Sequence, residues 1–574
     1  MAAKLYQTKR ERCDLIQAQL EQERTSFESH WTELSDFVAP RRSGINIENT
    51  NRGDKKNQNI IDSTATLALR TLRSGMMSGV TSPARPWFKL TLADQEVSEV
   101  GSVRRWLDAV GSRMNTAFLR SNLYNVLPIC YGDMGLFGTG CFLVEEDLTG
   151  NVFRFKPFQI GSYCISQNAD LKVDTFFRKF KMTARQIILK FAIKDPMKPQ
   201  EIDWSVVSLA VREAYENNQQ ETWFEICHLI EPNQDYRPDA LEAKYKLFSS
   251  VYYENGSKDG RNKSETFLRE SGYDYFPVFT PRWEINGEDI YGTSCPGMEA
   301  LGDIKQLQIG EKRSLQAVDK MVNPALTGPT SLKNAKVSLT PGDITYNDIR
   351  EGYQGLRPVH EVQFRISELE QKQAQVRQRI QRAFFEDLFL MLANSDRRQI
   401  TAREIDERHE EKLLALGPVL EQLNQDLLDP LIDICFYIMN KQGLIPEPPP
   451  EAQGKDLKIE YISVMAQAQK MVGLGAVDRF MSFVAGAASY NQEVLDKVDS
   501  DNAIDVYADL TSVPSRMVRT DEEVMVIREN RQKAQQQAQQ AEVARQQAAA
   551  AKDLSQAKIG SGEDRSALDA VLGV

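Results

Sequence analysis

The sequence predicts an α+β protein in which a mixed body is followed by long helices. Short alternating segments fill residues 141–295, and two amphipathic stretches lie beyond residue 295. Alternation with a period of two is typical of half-buried strands, whereas apolar residues three and four apart are typical of helices. The chain of 574 residues is long enough for more than one compact core.

Two helices and a strand are expected first. Residues 1–38 carry a mixed-charge helical pattern, and 39–59 are polar, as in a loop. A second helix is expected over 60–79, with Asp62 or Ser63 as its N-cap. A proline ends it, and "WFKLTLAD" then alternates like a half-buried strand.

Two glycine-rich stretches invite comparison with catalytic loops. In "SGMMSGVTSPARPWFKL" (74–90), Gly75 and Gly79 share one helix face, so a second helix can approach closely there. A nucleophile elbow needs G-x-S-x-G on a turn from strand to helix, but Ser78 precedes a turn from helix to strand. "GLFGTG" (135–140) is followed by a predicted strand, "CFLVEED", and not by the helix that a phosphate loop requires. Both stretches therefore predict packing and turns.

No catalytic or metal-binding constellation is expected. None of the histidines has metal-ligand spacing to another histidine or a cysteine; they are His30, His228, His360 and His409. The seven cysteines contain no C-x-x-C pair, which argues against zinc and against a disulfide framework and fits a reducing compartment. Cys141, next to a glycine turn, is expected to be a buried strand residue and not a nucleophile. We expect no enzyme activity, no metal and no cofactor.

The net charge and the lack of long apolar stretches limit the kinds of binding partner that the sequence suggests. A net charge of −11 argues against a protein that grips nucleic acid over its whole surface. The first residues lack the apolar core of a secretory signal, and no stretch approaches the roughly 20 apolar residues of a membrane span.

Within the body, strands are expected at six alternating segments and helices at about 183–193 and 203–217. The segments are "CFLVEED", "VFRFKPF", "VDTFFRKFKM", "WFEICHLI", "KLFSSVYYE" and "YFPVFTPRW".

Two helices are expected to flank a small β-rich module at 325–362. The first helix, 298–322, has an apolar stripe formed by Leu301, Ile304, Leu307, Leu315, Val318 and Val322. The second helix, 364–392, has a stripe formed by Ile366, Leu369, Val376, Ile380, Phe384, Leu388 and Met391. Its opposite face carries both signs of charge and comprises Glu368, Lys372, Gln375, Arg379, Arg382 and Glu386.

The C-terminal part is expected to be mostly helical. After the polar "NSDRRQ" (394–399), Thr401-x-x-Glu404 forms a capping box that opens a helix reaching about Lys441, kinked at Gly417-Pro418 and Asp429-Pro430. A proline-rich linker, the strand "LKIEYIS" and several short helices over 464–520 come next. The tail from Asp521 is expected to be either a helix packed in an oligomer or disordered.

The order of these parts resembles that of the portal proteins, or head-to-tail connectors, of short-tailed bacteriophages. The likeness spans most of residues 10–530. It is carried by "LRSGMMSGVTSPARPWFKL", "GLFGTGCFLVEE", "VDTFFRKFKMTARQI", "MVNPAL", "ITAREIDERHEEKLLALGPVLEQL", "LLDPLI" and "LKIEYISVMAQAQK".

The resemblance implies a ring-forming homo-oligomer of about twelve copies with named regions. These are a wing (1–295 and 401–465), a stem (296–323 and 363–393), a clip (324–362), a tunnel loop (394–400), a crown (466–520) and a helical barrel or disordered tail (521–574). The residues implied to line a central channel are Glu368, Lys372, Gln375, Arg379, Arg382 and Glu386, with Asp396, Arg397 and Arg398 in the tunnel loop.

The implied function is a portal at one capsid vertex of the virion, assembled in the host cytoplasm, through which double-stranded DNA enters and leaves. Implied partners are the major capsid protein, a scaffolding protein, the terminase large subunit and a tail adaptor, with DNA bound non-specifically and no membrane involved. One alternative is another structural virion protein of the head or tail. A second alternative is a DNA-processing enzyme such as a nuclease or packaging ATPase, which would need a Walker-type loop or a carboxylate metal cluster.

Overall fold

The computed structural model describes most of the chain. The described residues are 8–42, 44–45, 53–94, 97–98, 100–147, 150–193, 201–256, 267–327, 357–358, 365–394, 416–463, 465, 480–487, 499, 501–504, 519 and 521–556. The chain divides into two compact units, of which the first comprises 1–89, 110–446 and 461–469, and the second 90–109, 447–460 and 470–574.

The first helix begins with a side-chain cap, whereas the N-cap residue of the second makes no side-chain capping bond. Helix α1 (Lys9–Val38) opens with a capping box between Thr8 and Glu11. Helix α2 (Thr64–Gly79) begins four residues later than predicted, after Ser63 as N-cap. The delay has a physical cause, because the backbone N–H groups before the helix donate to the side-chain oxygen of Gln308.

The strand predicted after α2 is confirmed. Strand β1 (Phe88–Leu92) buries alternate residues, as the sequence pattern indicates, and pairs with β12 (Leu457–Tyr461), the predicted "LKIEYIS" strand. In the sequence, helices α3 (Gly101–Arg120) and α4 (Leu123–Phe137) come after β1 and before the strands of the body.

The second glycine-rich stretch is a turn from helix to strand, as predicted. Helix α4 ends at Gly138, which has a φ of 83°, and strand β2 (Phe142–Asp147) follows. A left-handed backbone favours glycine there. A Cβ atom on Gly138 would also lie 2.0 Å from the carbonyl oxygen of Gly292, so no side chain fits.

The body contains two antiparallel sheets. The smaller has the strand order β3–β2–β9 and the larger the order β4–β5–β6–β7–β8. The remaining strands are β3 (Val152–Pro157), β4 (Tyr163–Gln167), β5 (Val173–Thr183), β6 (Trp223–Pro232), β7 (Phe248–Glu254), β8 (Arg269–Tyr273) and β9 (Val278–Phe279). Each of the six predicted segments contains a strand, whereas β4 and β8 were not predicted.

The larger sheet is covered on both faces. On one face, Cys13 and Leu20 of α1 pack against Phe177, Leu229 and Tyr253. The other face packs against α5 (Ala184–Ile187), the π-helical turn Ile188–Ala192 and α6 (Leu209–Glu216). The helix predicted over 183–193 is confirmed, with an α-helical first part and a π-helical second part. The helix predicted over 203–217 is shorter, because Ser208 caps it by accepting the N–H of Val211.

The remaining elements are helical apart from one short pairing. Strand β10 (Leu326–Thr327) pairs with β11 (Arg357–Pro358), while the rest of the predicted β module lies outside the described residues. The helices are α7 (Pro296–Val322), α8 (Ile366–Ala383), α9 (Glu386–Asn394), α10 (Asp429–Lys441) and α11 (Asp521–Gln556).

The long helix predicted to end near Lys441 is described from residue 416. Residues 416–423 are helical through Gly417-Pro418, and a π-helical turn (Asn424–Leu428) leads into α10 beside Pro430. The capping box Thr401–Glu404 lies outside the described residues.

In the C-terminal part, residues 480–487 and 501–504 are helical, and the tail forms the helix α11. Arg528 of this helix is ion-paired with Asp501 at 2.6 Å.

Candidate functional site: the paired helices

Helices α7 and α8 pack against each other, and α2 packs against both α8 and α9. A polar cluster joins them at the start of α2. Gln308 of α7 is buried, and its Oε1 accepts the N–H groups of Ile61 and Asp62 at 2.6 and 2.8 Å. Arg377 of α8 donates to Asp62 Oδ2 at 2.9 Å and also contacts the carboxylate of Glu311. These bonds fix where α2 begins and hold the helix pair against it.

Asp62 is the centre of this cluster. Burial tends to raise the pKa of its carboxyl, but hydrogen bonds from Thr64 and from the Arg377 guanidinium outweigh burial and hold that pKa below its usual value. The charged form is therefore the one that the folded protein stabilises.

We expect Asp62→Asn to lower the free energy of unfolding by about 1 to 3 kcal/mol at neutral pH, because two charge-assisted hydrogen bonds are lost. A lowered folded-state pKa means that this stabilisation is present above the unfolded value of about 3.9 and is lost as pH falls through the folded pKa. Urea unfolding across the acidic range checks this. A difference between the two proteins that stays constant with pH contradicts it. Asp303→Asn, which removes the half-buried partner of the exposed Arg379, should cost under about 1 kcal/mol.

The charged face of the second helix is exposed, and its apolar stripe is buried. Of the predicted channel-lining residues, five are exposed and Glu386 is half-buried; the five are Glu368, Lys372, Gln375, Arg379 and Arg382. Of the stripe, Leu369 is half-buried and four members are buried, namely Val376, Ile380, Phe384 and Leu388. The side chains of Ile366 and Met391 lie outside the described part. Helix α8 is therefore amphipathic, as its sequence predicts.

Two members of the exposed face are engaged within the chain, and the first, Glu368, pairs with Arg365 at 3.0 Å. Arg379 forms a two-pronged ion pair with Asp303 of α7, through Nε at 3.0 Å and Nη2 at 2.7 Å. The hydrogen bond to Asp303 raises the pKa of Arg379. This pair links α7 to α8 on their solvent side.

The prediction of one continuous helix over 364–392 is wrong. The helix ends at Ala383, Phe385 adopts a left-handed backbone with a φ of 55°, and α9 begins at Glu386. The break lets Phe384 and Phe389 both be buried, the latter directly over Gly75 of α2. Glu386 thus lies beyond a turn and not on the continuous face of α8.

The apolar stripe predicted for the first helix is buried along only half its length. Leu301, Ile304 and Leu307 are buried, whereas Leu315, Val318 and Val322 are 61%, 41% and 80% exposed. Helices α1 and α4 pack against α7, and its buried positions end at Gln308 apart from Ala317. The exposed half is an apolar surface that no described residue covers.

Most of the predicted tunnel loop lies outside the described residues. Helix α9 runs to Asn394, so the first residue assigned to the loop is helical. Asp396, Arg397 and Arg398 lie outside the described residues.

Within the described residues, no three His, Cys, Asp or Glu side chains are grouped to hold a metal ion, and no helix is long and apolar enough to cross a membrane. Cys141 is buried, as predicted, and burial raises the pKa of its thiol. His228 is buried as well, and burial lowers its pKa well below the usual value.

Sequence reasoning missed the polar cluster around Asp62. Arg377 was not assigned to either face of its helix, and Gln308 directly follows a stripe position. The only local sign of this cluster is a glutamine beside an apolar stripe, one turn from Glu311. That sign does not indicate that Gln308 bonds to a residue 246 positions away.

The chain is similar to known bacteriophage proteins over nearly its whole length. A family model described as "Bacteriophage head to tail connecting protein" matches residues 10–518. The protein named "Portal protein" of Salmonella phage epsilon15 is 45% identical over 565 residues, which are 98% of this chain and 98% of that protein. The "Probable portal protein" of Bordetella phage BPP-1 is 41% identical over 543 residues, 95% of this chain and 94% of that protein.

Proposed function

The chain belongs to the family of bacteriophage head-to-tail connecting proteins, and from that premise we propose that it is the ring-forming portal of a virion. The ring of about twelve copies is the channel through which double-stranded DNA is packaged and ejected. The observation that carries the proposal is similarity to two portal proteins over nearly the whole length of the chain. This similarity favours a portal over another structural protein of the virion and over a DNA-processing enzyme.

The exposed face of α8 is the proposed channel wall. Each phosphate held by a Lys or Arg adds salt-dependent affinity, and strong affinity would stall moving DNA. The exposed face of α8 would bind DNA only weakly, because Glu368 lies among its cations and Asp303 pairs with Arg379. Lys372 and Arg382 have no ion pair with any described residue and are the cations left for weak contact with DNA.

The uncovered half of α7 supports assembly. Leu315, Val318 and Val322 form an exposed apolar strip on a helix whose other half is packed. A closed ring of copies would remove such a strip from water, and burial of apolar area is the main driving force for association.

The other partners follow from the same proposal. The module at 324–362 is the docking site for the terminase large subunit and then for the tail adaptor. The body contacts the major capsid protein at one vertex, with a scaffolding protein engaged during assembly in the host cytoplasm.

We expect the double variant Arg397→Ala/Arg398→Ala to form rings but to package or retain less DNA. In the proposed ring these arginines form circles of positive charge at the narrowest part of the channel, where DNA phosphates pass. Negative-stain images of the purified protein report ring formation, and packaged DNA per particle is measured after the rings are built into heads.

The matched control removes two arginines elsewhere. Arg185 and Arg212 are exposed on the body and pair with Glu221 and Glu216. The variant Arg185→Ala/Arg212→Ala should package as the parent does. Images of monomers and no rings would overturn the portal proposal. Rings with unchanged packaging and retention in the Arg397/Arg398 variant would overturn only the assignment of the loop to the channel.

A further inference from the structure

Four side chains line up across neighbouring strands of the larger sheet. Arg178 on β5 lies opposite His228 on β6, His228 lies opposite Tyr252 on β7, and Tyr252 lies opposite Arg269 on β8. Directly opposed residues share one face of a sheet. Because neighbouring strands are about 4.8 Å apart, the row extends over roughly 14 Å.

The row lies on the face turned away from α1. Tyr252 belongs to the core that packs against 184–214, whereas its neighbour Tyr253 belongs to the core beneath α1. Alternation sends Glu270 to the α1 side, where it pairs with Lys9 at 2.6 Å. Arg269 therefore lacks the carboxylate next to it in sequence.

The centre of the row is held rigidly. The rings of His228 and Tyr252 stack at 3.8 Å with an angle of 9° between their planes. Arg178 donates from Nε to His228 Nδ1 at 3.4 Å, and its guanidinium lies 4.7 and 4.1 Å from the rings of Phe158 and Phe180. A guanidinium fixed between two rings keeps its outer N–H groups pre-oriented for a planar oxyanion.

Positive charge gathers around the row without matching negative charge. Lys190 of the π-helical turn lies 4.9 Å from the centre of the Tyr252 ring. Burial lowers the pKa of Lys190 to about 8, and repulsion from Lys156, Arg178 and Arg269 adds to that effect. His228 stays neutral because burial and the same cations depress its pKa.

Two carboxylates of the described residues near the row are already occupied. Glu145 of β2 is ion-paired with Lys156 of β3. Glu254 of β7 accepts the backbone N–H of Ser208 at 2.9 Å. No described carboxylate is ion-paired with the three remaining cations, which are Arg178, Lys190 and Arg269.

We propose that the row binds a small anion with two or more phosphate-type groups, of the diphosphate or triphosphate class. Three cations without a described carboxylate partner, two at the ends of the row and one beside Tyr252, suit a chain of oxyanions better than a single one. Arginine N–H groups match phosphate oxygens in pairs, and the lysine adds a point charge. The site is separate from the helices of the proposed channel, so it stands or falls independently of that assignment.

Titration calorimetry on the full-length protein tests the proposal with inorganic phosphate, pyrophosphate and tripolyphosphate at constant ionic strength. Affinity should rise in that order. It should fall at least tenfold for tripolyphosphate in Lys190→Gln and, as a second and independent variant, in Arg269→Gln. Lys312→Gln, an exposed cation of α7, is the matched control and should bind as the parent does.

Three results would overturn the proposal. The first is no detectable binding of tripolyphosphate to the parent protein. The second is an equal loss of affinity in Lys312→Gln, because binding would then follow net charge alone. The third is binding of an oligoglutamate peptide or a short DNA duplex that depends on Lys190 and Arg269 when tripolyphosphate does not bind. Circular dichroism shows that each variant is folded before it is titrated.

Discussion

Replacing Arg282 by methionine is expected to lower the free energy of unfolding by about 3 to 5 kcal/mol, because one partner of a buried ion pair is removed. Arg282 is 1% exposed, and its Nε and Nη2 donate to the carboxylate of Asp426 at 3.0 and 3.2 Å. Nη1 and Nη2 also donate to Gln167 Oε1 and to the carbonyl of Leu171, both at 2.9 Å. Methionine fills similar volume but leaves these acceptors without donors.

The matched control is Arg379→Met. Arg379 binds Asp303 with the same two-pronged geometry, yet its side chain is 52% exposed. Water replaces the lost partner there, so the expected cost is below about 1 kcal/mol. Urea unfolding followed by circular dichroism measures both variants. Equal losses in the two would contradict the argument that burial sets the difference.

The position of Asp426 explains why this pair has a large effect. Asp426 lies inside the π-helical turn Asn424–Leu428, directly before α10 begins at Asp429. Arg282 also bonds to the last residue of β4, Gln167, and to Leu171 in the turn between β4 and β5. A single guanidinium thus joins the late helix to the sheet of the body.

Local patterns predicted the parts of this fold that depend on neighbours in sequence. The alternation in β1, the amphipathic face of α8 and the turn at Gly138 are each encoded within a few residues. The strands β4 and β8 escaped prediction, because "YCISQ" and "RESGY" are short and mix apolar, polar and glycine residues. They become strands because β5 and β7 present edges for them to pair with.

Local sequence patterns missed several features of the candidate site, because tertiary contacts determine those features. Nothing in the sequence near Phe385 breaks a helix, and the turn there arises because Phe384 and Phe389 are both buried. An apolar stripe likewise indicates that a surface is covered but not by which chain, so the exposure of Leu315 and Val318 could not be foreseen. The cationic row joins residues from four strands, and only strand register brings them together.

Gly75→Ala is expected to destabilise the protein by about 1 to 3 kcal/mol, whereas Gly79→Ala should be neutral or stabilising. The sequence predicts a close helix approach at both glycines, but the structure has it at Gly75. A Cβ atom there would lie 2.1 Å from Cγ and 2.6 Å from Cβ of Phe389. Because the clash reaches the base of that side chain, rotating the ring does not relieve it, and α9 must shift.

At Gly79 the nearest atom to an added Cβ is the flexible end of Met465, at 3.8 Å, which is an ordinary contact. Alanine is favoured over glycine within a helix by about 1 kcal/mol, and nothing opposes that gain at Gly79. Ser78 donates only to the carbonyl of Gly75 within its own helix, so Ser78→Ala is a second near-silent control. Thermal unfolding ranks the three variants.

Phe389→Ala combined with Gly75→Ala should cost less than the sum of the single changes, because the clash has then been removed. A loss for Gly79→Ala as large as that for Gly75→Ala, or full additivity in the double variant, would show that Phe389 does not set the packing of α9 against α2.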